Sequence, residues 1–147
     1  MSAPLTLLAE DDDNDVYFIQ RAFEQLQIEL RFRRVVDGED AIEYLSGEGK
    51  YANREEFPLP RLLLLDLKMP RKNGFEVIEW VRNQPKLRKL PVVVLTSSRA
   101  DPDIDRAYEL GANTYFVKPV KFDNLVEFVQ AFHCYWEKLA EKPDIAQ

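Results

Sequence analysis

Five short apolar runs punctuate the 147-residue chain, and a stretch with helical spacing of its apolar positions follows each. The runs are Leu5-Thr6-Leu7-Leu8-Ala9, Leu30 to Val36, Leu62-Leu63-Leu64-Leu65, Val92-Val93-Val94-Leu95 and Thr114-Tyr115-Phe116-Val117. The first, third and fourth are almost continuously apolar, the pattern of strands covered on both faces. Val16, Ile19, Phe23 and Leu26 recur at three- and four-residue spacing, as do Phe75, Ile78 and Val81, which predicts helices with one apolar stripe. Ala41, Ile42 and Leu45 mark a short second helix closed by Gly47. Asp101-Pro102 predicts a helix start, an N-cap oxygen and then proline in the first turn, and Gly111 is placed to end that helix. The last helix is predicted from about Asp123 to Ala140. Strict alternation of strand and helix implies a parallel sheet with right-handed crossovers and helices on both faces, an α/β (βα)5 domain over 1–140. Residues 141–147 read as a short frayed tail without an output domain. The segment Gly47 to Pro60, with Gly49 and Pro58, reads as an unusually long surface loop.

Composition narrows the class. The chain is 46% hydrophobic and 31% charged, ordinary for a soluble globular protein. A formal net charge of −6 argues against nucleic-acid binding, which needs a basic face; Arg31, Arg33 and Arg34 read as a solvated strand face. The single cysteine, Cys134, excludes an internal disulfide. With no export signal and no run long enough to cross a bilayer, the expected compartment is the cytoplasm, with no membrane partner.

In open parallel sheets the ligand crevice lies beyond the C-terminal ends of the strands. Glu10, Asp11, Asp12 and Asp13 follow the first run, Asp66 the third, Thr96, Ser97 and Ser98 close the fourth, and Lys118-Pro119 follows the fifth. Clustered carboxylates repel one another, and an all-oxygen set points to Mg²⁺ or Mn²⁺ as the remedy. Glu10 and Asp11 are assigned to the metal, while Asp12 or Asp13 caps the first helix. Asp66, at the end of four leucines, is placed to act as a nucleophile that forms an acyl phosphate. Lys118 would counter the new charge and Thr96 would donate to a phosphoryl oxygen.

Taken together, Leu62 to Pro70 with Gly74, Val94-Leu95-Thr96-Ser97, Phe116-Val117-Lys118-Pro119 and Glu10-Asp11 resemble the response-regulator receiver family over essentially the whole chain. The resemblance implies a doubly wound, flavodoxin-like sheet of order 2-1-3-4-5. It implies that Asp66 accepts phosphate from a sensor histidine kinase or a small phosphodonor. It assigns Asp11, Asp66 and the main-chain carbonyl of Lys68 to Mg²⁺, with Glu10 acting through a metal-bound water. Thr96 and Lys118 would hold the phosphoryl oxygens, Thr96 and Tyr115 would form the switch pair, and Gly74 would end the loop after the nucleophile. Catalysis would be confined to self-phosphotransfer and autodephosphorylation. Glu10 departs from the aspartate common at that position. The Gly47 to Pro60 loop with Gly-Lys-Tyr, the phrase Leu90 to Ser98 and Tyr135-Trp136 most resemble the stand-alone regulators of bacterial phytochromes, which implies a phytochrome kinase as partner.

The readout would be the face of the fourth helix, fifth strand and fifth helix. On the last helix Phe122, Leu125, Val126, Val129, Phe132, Trp136 and Leu139 make a stripe toward the sheet, and Phe128 and Tyr135 widen it beyond what core packing requires. Phe122, Phe128, Phe132, Tyr135 and Trp136 are therefore the candidate interface for a homodimer or a docked kinase. His133 reads as structural. Three rival readings compete. An aspartate-nucleophile phosphohydrolase needs a second acid two residues after Asp66, where Lys68 stands. An FMN binder would not place four acids at its phosphate loop. A degenerate receiver that only binds partners is the alternative left open.

Overall fold

The computed structural model describes residues 5–29, 31–139, 141, 143 and 145. The expected strand start at Leu30 and helix end at Ala140 lie outside them. Five strands, β1 (Thr6–Ala9), β2 (Phe32–Val35), β3 (Leu62–Leu65), β4 (Val92–Thr96) and β5 (Thr114–Val117), form one parallel sheet of order β2-β1-β3-β4-β5. Between and after them run α1 (Asp13–Gln25), α2 (Gly38–Ser46), α3 (Gly74–Arg82), α4 (Asp101–Leu110) and α5 (Phe122–His133). α1 packs on α5 over one face; α2, α3 and α4 pack in succession over the other.

The period of two along each strand divides the apolar residues between two cores. Leu63 and Leu65 join the cluster beneath α2, α3 and α4, whereas Leu62 and Leu64 join the one beneath α1 and α5. All four are buried, and at about 2 kcal/mol for each leucine this anchors the strand whose next residue is Asp66.

Local chemistry sets the helix ends nearest the strand tips. Asp12 caps α1, accepting from the backbone N–H groups of Asn14 and Asp15. Asn73 and Glu76 form a reciprocal capping box at the start of α3. Gly111, at φ 115°, closes α4 in the left-handed region where a Cβ would be strained. The start of α4 differs from expectation. Asp101 is the first helical residue and Ala100 the cap, with no side-chain cap bond. Ser98 does the organising: its hydroxyl accepts from the Ala100 N–H and donates to Asp103.

Two further differences concern the loop and the tail. Between α2 and β3 a 3-10 turn, Gly49–Tyr51, buries Tyr51 against Tyr44 and Phe57. The Arg54 guanidinium donates to the carbonyls of Tyr44, Leu45 and Phe57, so the loop is a packed element, not a loose one. α5 stops at His133 and continues as a π-helical segment, Cys134–Leu139. Six residues of apolar pattern do not distinguish 3.6-residue winding from a wider one. Ile145 is buried in the core under α2, α3 and α4, so at that position the tail is docked and not frayed.

Candidate functional site

Backbone pairing carries the four strand ends to one edge of the sheet. The Glu10 N–H bonds to Val35 O, the Asp66 N–H to Ala9 O and the Lys118 N–H to Thr96 O, so each site residue is held where its strand stops. Gly74 completes the arrangement. A Cβ there would stand 2.5 Å from Asp66 O and 2.7 Å from Leu67 Cα, so only glycine lets the α3 N-terminus close against the backbone of Asp66 and Leu67.

The side chains converge on the Lys118 ammonium. Its Nζ lies 2.6 Å from Glu10 Oε1, 2.6 Å from Asp15 Oδ2 and 3.1 Å from Asp66 Oδ2. Glu10 and Asp66 are buried, at 2% and 6% exposure, while Asp11 is open to solvent. Glu10 Oε2 also accepts from the Asp12 N–H, and Asp66 Oδ1 from the Lys68 N–H at 3.3 Å. Burial pushes the Glu10 carboxyl up to about 8, against the opposing pull of Lys118. Burial also disfavours the ammonium, but the hydrogen bonds to Asp15 and Glu10 and the charge of Asp66 outweigh it and raise the lysine above its ordinary range. Glu10, Asp11 and Asp66 each bring a carboxylate oxygen to within 4.8 Å of the others. That all-oxygen set suits a hard divalent cation, and the Lys118 ammonium bridges two of its three carboxylates, those of Glu10 and Asp66.

Thr96 is the other notable member. It is 0% exposed, and its hydroxyl has no hydrogen-bond partner among the described residues. A buried unpaired hydroxyl is costly and marks a place where a ligand oxygen would be welcome. Tyr115 lies half-buried on the neighbouring strand, its hydroxyl donating to Ser98 O at 3.0 Å. Lys68 turns its ammonium outward to Asp103, 3.5 Å away. The Ser98 hydroxyl, and then the Lys68 charge, hold the Asp103 carboxyl below the usual range. The edge thus offers a buried carboxylate on Asp66, a cation-type acid cluster, a charged lysine and a hydroxyl without a partner among the described residues.

Residues 6–130 match the family of response regulator receiver domains. The chain belongs to that family. Among relatives of this receiver domain, the probable methanogenesis regulatory protein FilR2 of Methanothrix harundinacea is 38% identical over 90% of the chain and 83% of its own length. The response regulator Rcp1 of Synechocystis is 34% identical over 93% of the chain and 91% of its own length. The solved structure of the phosphorylated cyanobacterial phytochrome response regulator RcpA superposes with a TM-score of 0.89 at 34% identity, over 97% of this chain and all (100%) of RcpA. The Mn²⁺-bound form of Rcp1 gives 0.85 at 33% identity, covering 96% of this chain and 99% of that one. The fold, the receiver assignment and the kinship with phytochrome regulators expected above therefore stand.

Sequence reasoning missed three members of the receiver's site. Asp15 was not singled out, although it sits four residues before the buried Ile19 and so on the inward stripe. Arg34 read as solvated; its guanidinium donates to Glu10 O at 2.8 Å and pairs with Asp13 at 2.9 Å. Asp103 gave no signal beyond its place in a helix start. Of the five candidate interface rings, Phe128, Phe132, Tyr135 and Trp136 line one cavity, and Phe122 lies apart from it. Trp136 is 7% exposed and belongs to the core, as its stripe position implies, whereas Tyr135 is 63% exposed. Phe122 packs beside Phe18 of α1, near Lys118, while Phe128 and Phe132 stack further down α5 and Phe128 meets Phe116.

Proposed function

We propose that this receiver is a phosphoryl-accepting switch of a two-component system, in which Asp66 takes the phosphoryl group of a phosphohistidine on a sensor kinase. The observation that carries the reading is the Lys118 ammonium 3.1 Å from Asp66 Oδ2, beside a buried Thr96 hydroxyl with no partner. An Asp66 carboxylate oxygen forms the new O–P bond, the P–N bond breaks, and the imidazole keeps its electron pair. Lys118 and Thr96 meet the phosphoryl oxygens with a charged and a neutral donor. Glu10, Asp11, Asp66 and the Lys68 main-chain carbonyl would hold Mg²⁺, which when bound supplies positive charge to offset that of carboxylates and phosphoryl oxygens. A form of Rcp1 was solved with Mn²⁺ bound, which supports a divalent cation here.

The signal leaves through Thr96 and Tyr115. Thr96 moves toward the phosphoryl group, Tyr115 gives up its bond to Ser98 O and turns inward, and the face of α4, β5 and α5 changes shape. Tyr135, Phe128 and Phe132 on that side serve a homodimer. The exposed Phe18 and Val120 line the cavity beside Lys118 and Phe122, and the exposed Tyr17 packs edge-on against Phe18; this apolar rim suits docking of the kinase. Likeness to Rcp1 and RcpA favours a phytochrome as that kinase, in the cytoplasm. The test is transfer of radiolabelled phosphate from an autophosphorylated phytochrome kinase. Labelling of the wild type and not of Asp66→Asn supports the reading; equal labelling of both, or of neither, refutes it.

A further inference from the structure

We propose that Asp15 is a positioning residue for Lys118: it gives the ammonium a second place to stand when a divalent cation claims Glu10 and Asp66. The inference rests on the cation site proposed above.

An ammonium has three N–H donors, and all three of Lys118's face carboxylates, on Glu10, Asp15 and Asp66. Glu10 and Asp66 belong to the group of three acids gathered within 4.8 Å; Asp15 does not. A dication entering that group competes with the lysine for two of its three partners and repels it directly. The lysine side chain is 15% exposed, so it cannot simply retreat to bulk water, and a buried ammonium without an anion is costly. Asp15 is the anion left over. It stands on the first turn of α1, its own N–H bonded to the Asp12 side chain, and its carboxylate is 35% exposed beside the cavity that Lys118 also lines. With one proton committed to Asp15, the ammonium yields Glu10 and Asp66 to the cation and keeps its remaining donors aimed at the phosphoryl position.

Without Asp15 the lysine has only Glu10 and Asp66, and it competes harder for them. Asp15→Asn keeps the shape and an acceptor oxygen but removes the charge. It should weaken cation binding although Asp15 is not among the acids that would touch the cation, and the loss should depend on the lysine. Mn²⁺ binding is read from the electron paramagnetic resonance signal of the free ion, in the wild type, Asp15→Asn, Lys118→Met and the double variant. The coupling expected of adjoining charged groups is about fivefold weaker binding for Asp15→Asn when Lys118 is present. In the Lys118→Met background only the screened field of one distant carboxylate remains, worth less than about twofold. Asp15→Glu, which restores the charge, should recover most of the affinity. An equal loss in both backgrounds means that Asp15 acts through its field alone and overturns the proposal, as does no loss in either. Failure of the underlying site looks different: the wild type then binds no Mn²⁺, or Asp66→Asn binds it as tightly as wild type.

Discussion

Thr96 sets stability against function within one side chain. It ends β4 fully buried, and its hydroxyl is unpaired among the described residues. A buried polar group left unsatisfied costs about 1–3 kcal/mol. Thr96→Val replaces that hydroxyl with a methyl of similar size, so no cavity opens and the desolvation penalty disappears. At the lower end of the range the unphosphorylated protein gains about 1 kcal/mol, which raises the melting midpoint of a domain this size by about 2–4 °C. On the proposed mechanism the same change deletes a donor to a charged phosphoryl oxygen, worth about 1.5–3 kcal/mol. Acetyl phosphate should therefore label Asp66 roughly tenfold more slowly, and any phosphate-dependent change in self-association should shrink. Calorimetry in cation-free buffer and the labelling rate are the two assays. A valine variant that melts below wild type, or one that takes phosphate at the wild-type rate, refutes the reasoning.

Three other substitutions probe the frame around the site and the segment after α5. Gly74→Ala adds a favourable helix former but drives its Cβ against Asp66 O and Leu67 Cα, backbone atoms that cannot yield; the net loss should be about 1–3 kcal/mol by urea denaturation, with slower labelling of Asp66. Trp136→Ala should cost about 3–5 kcal/mol because the ring is core, whereas Tyr135→Ala should leave stability within about 0.5 kcal/mol and weaken self-association measured by sedimentation.

Much of this receiver can be read along the chain because its central strands are covered on both faces. Leu62 to Leu65 cannot be an alternating surface strand, and once β3 is placed, Asp66 follows at its tip. Glu10, Thr96 and Lys118 are legible for the same reason, each being the first polar residue where an apolar run stops or its last member. The partners of those residues are not legible. Asp15 and Lys118 meet across 103 positions, brought together by the tertiary fold and not by any local pattern. Arg34 looks like any arginine on an edge strand until its guanidinium is seen on Glu10 O. The Gly47 to Pro60 loop hides two aromatic anchors, Tyr51 and Phe57, in a charged stretch whose composition says surface. Trp136 carries two readings at once, as a member of the inward stripe and as a candidate interface ring; burial favours the first.

The most direct measurement is intact mass after incubation with acetyl phosphate or phosphoramidate, with Mg²⁺ or with excess chelator, for the wild type and Asp66→Asn. The account predicts a single phosphoryl adduct on the wild type that requires Mg²⁺ and is missing from Asp66→Asn. An adduct of equal yield on the variant, or no adduct on the wild type with any donor, would contradict it.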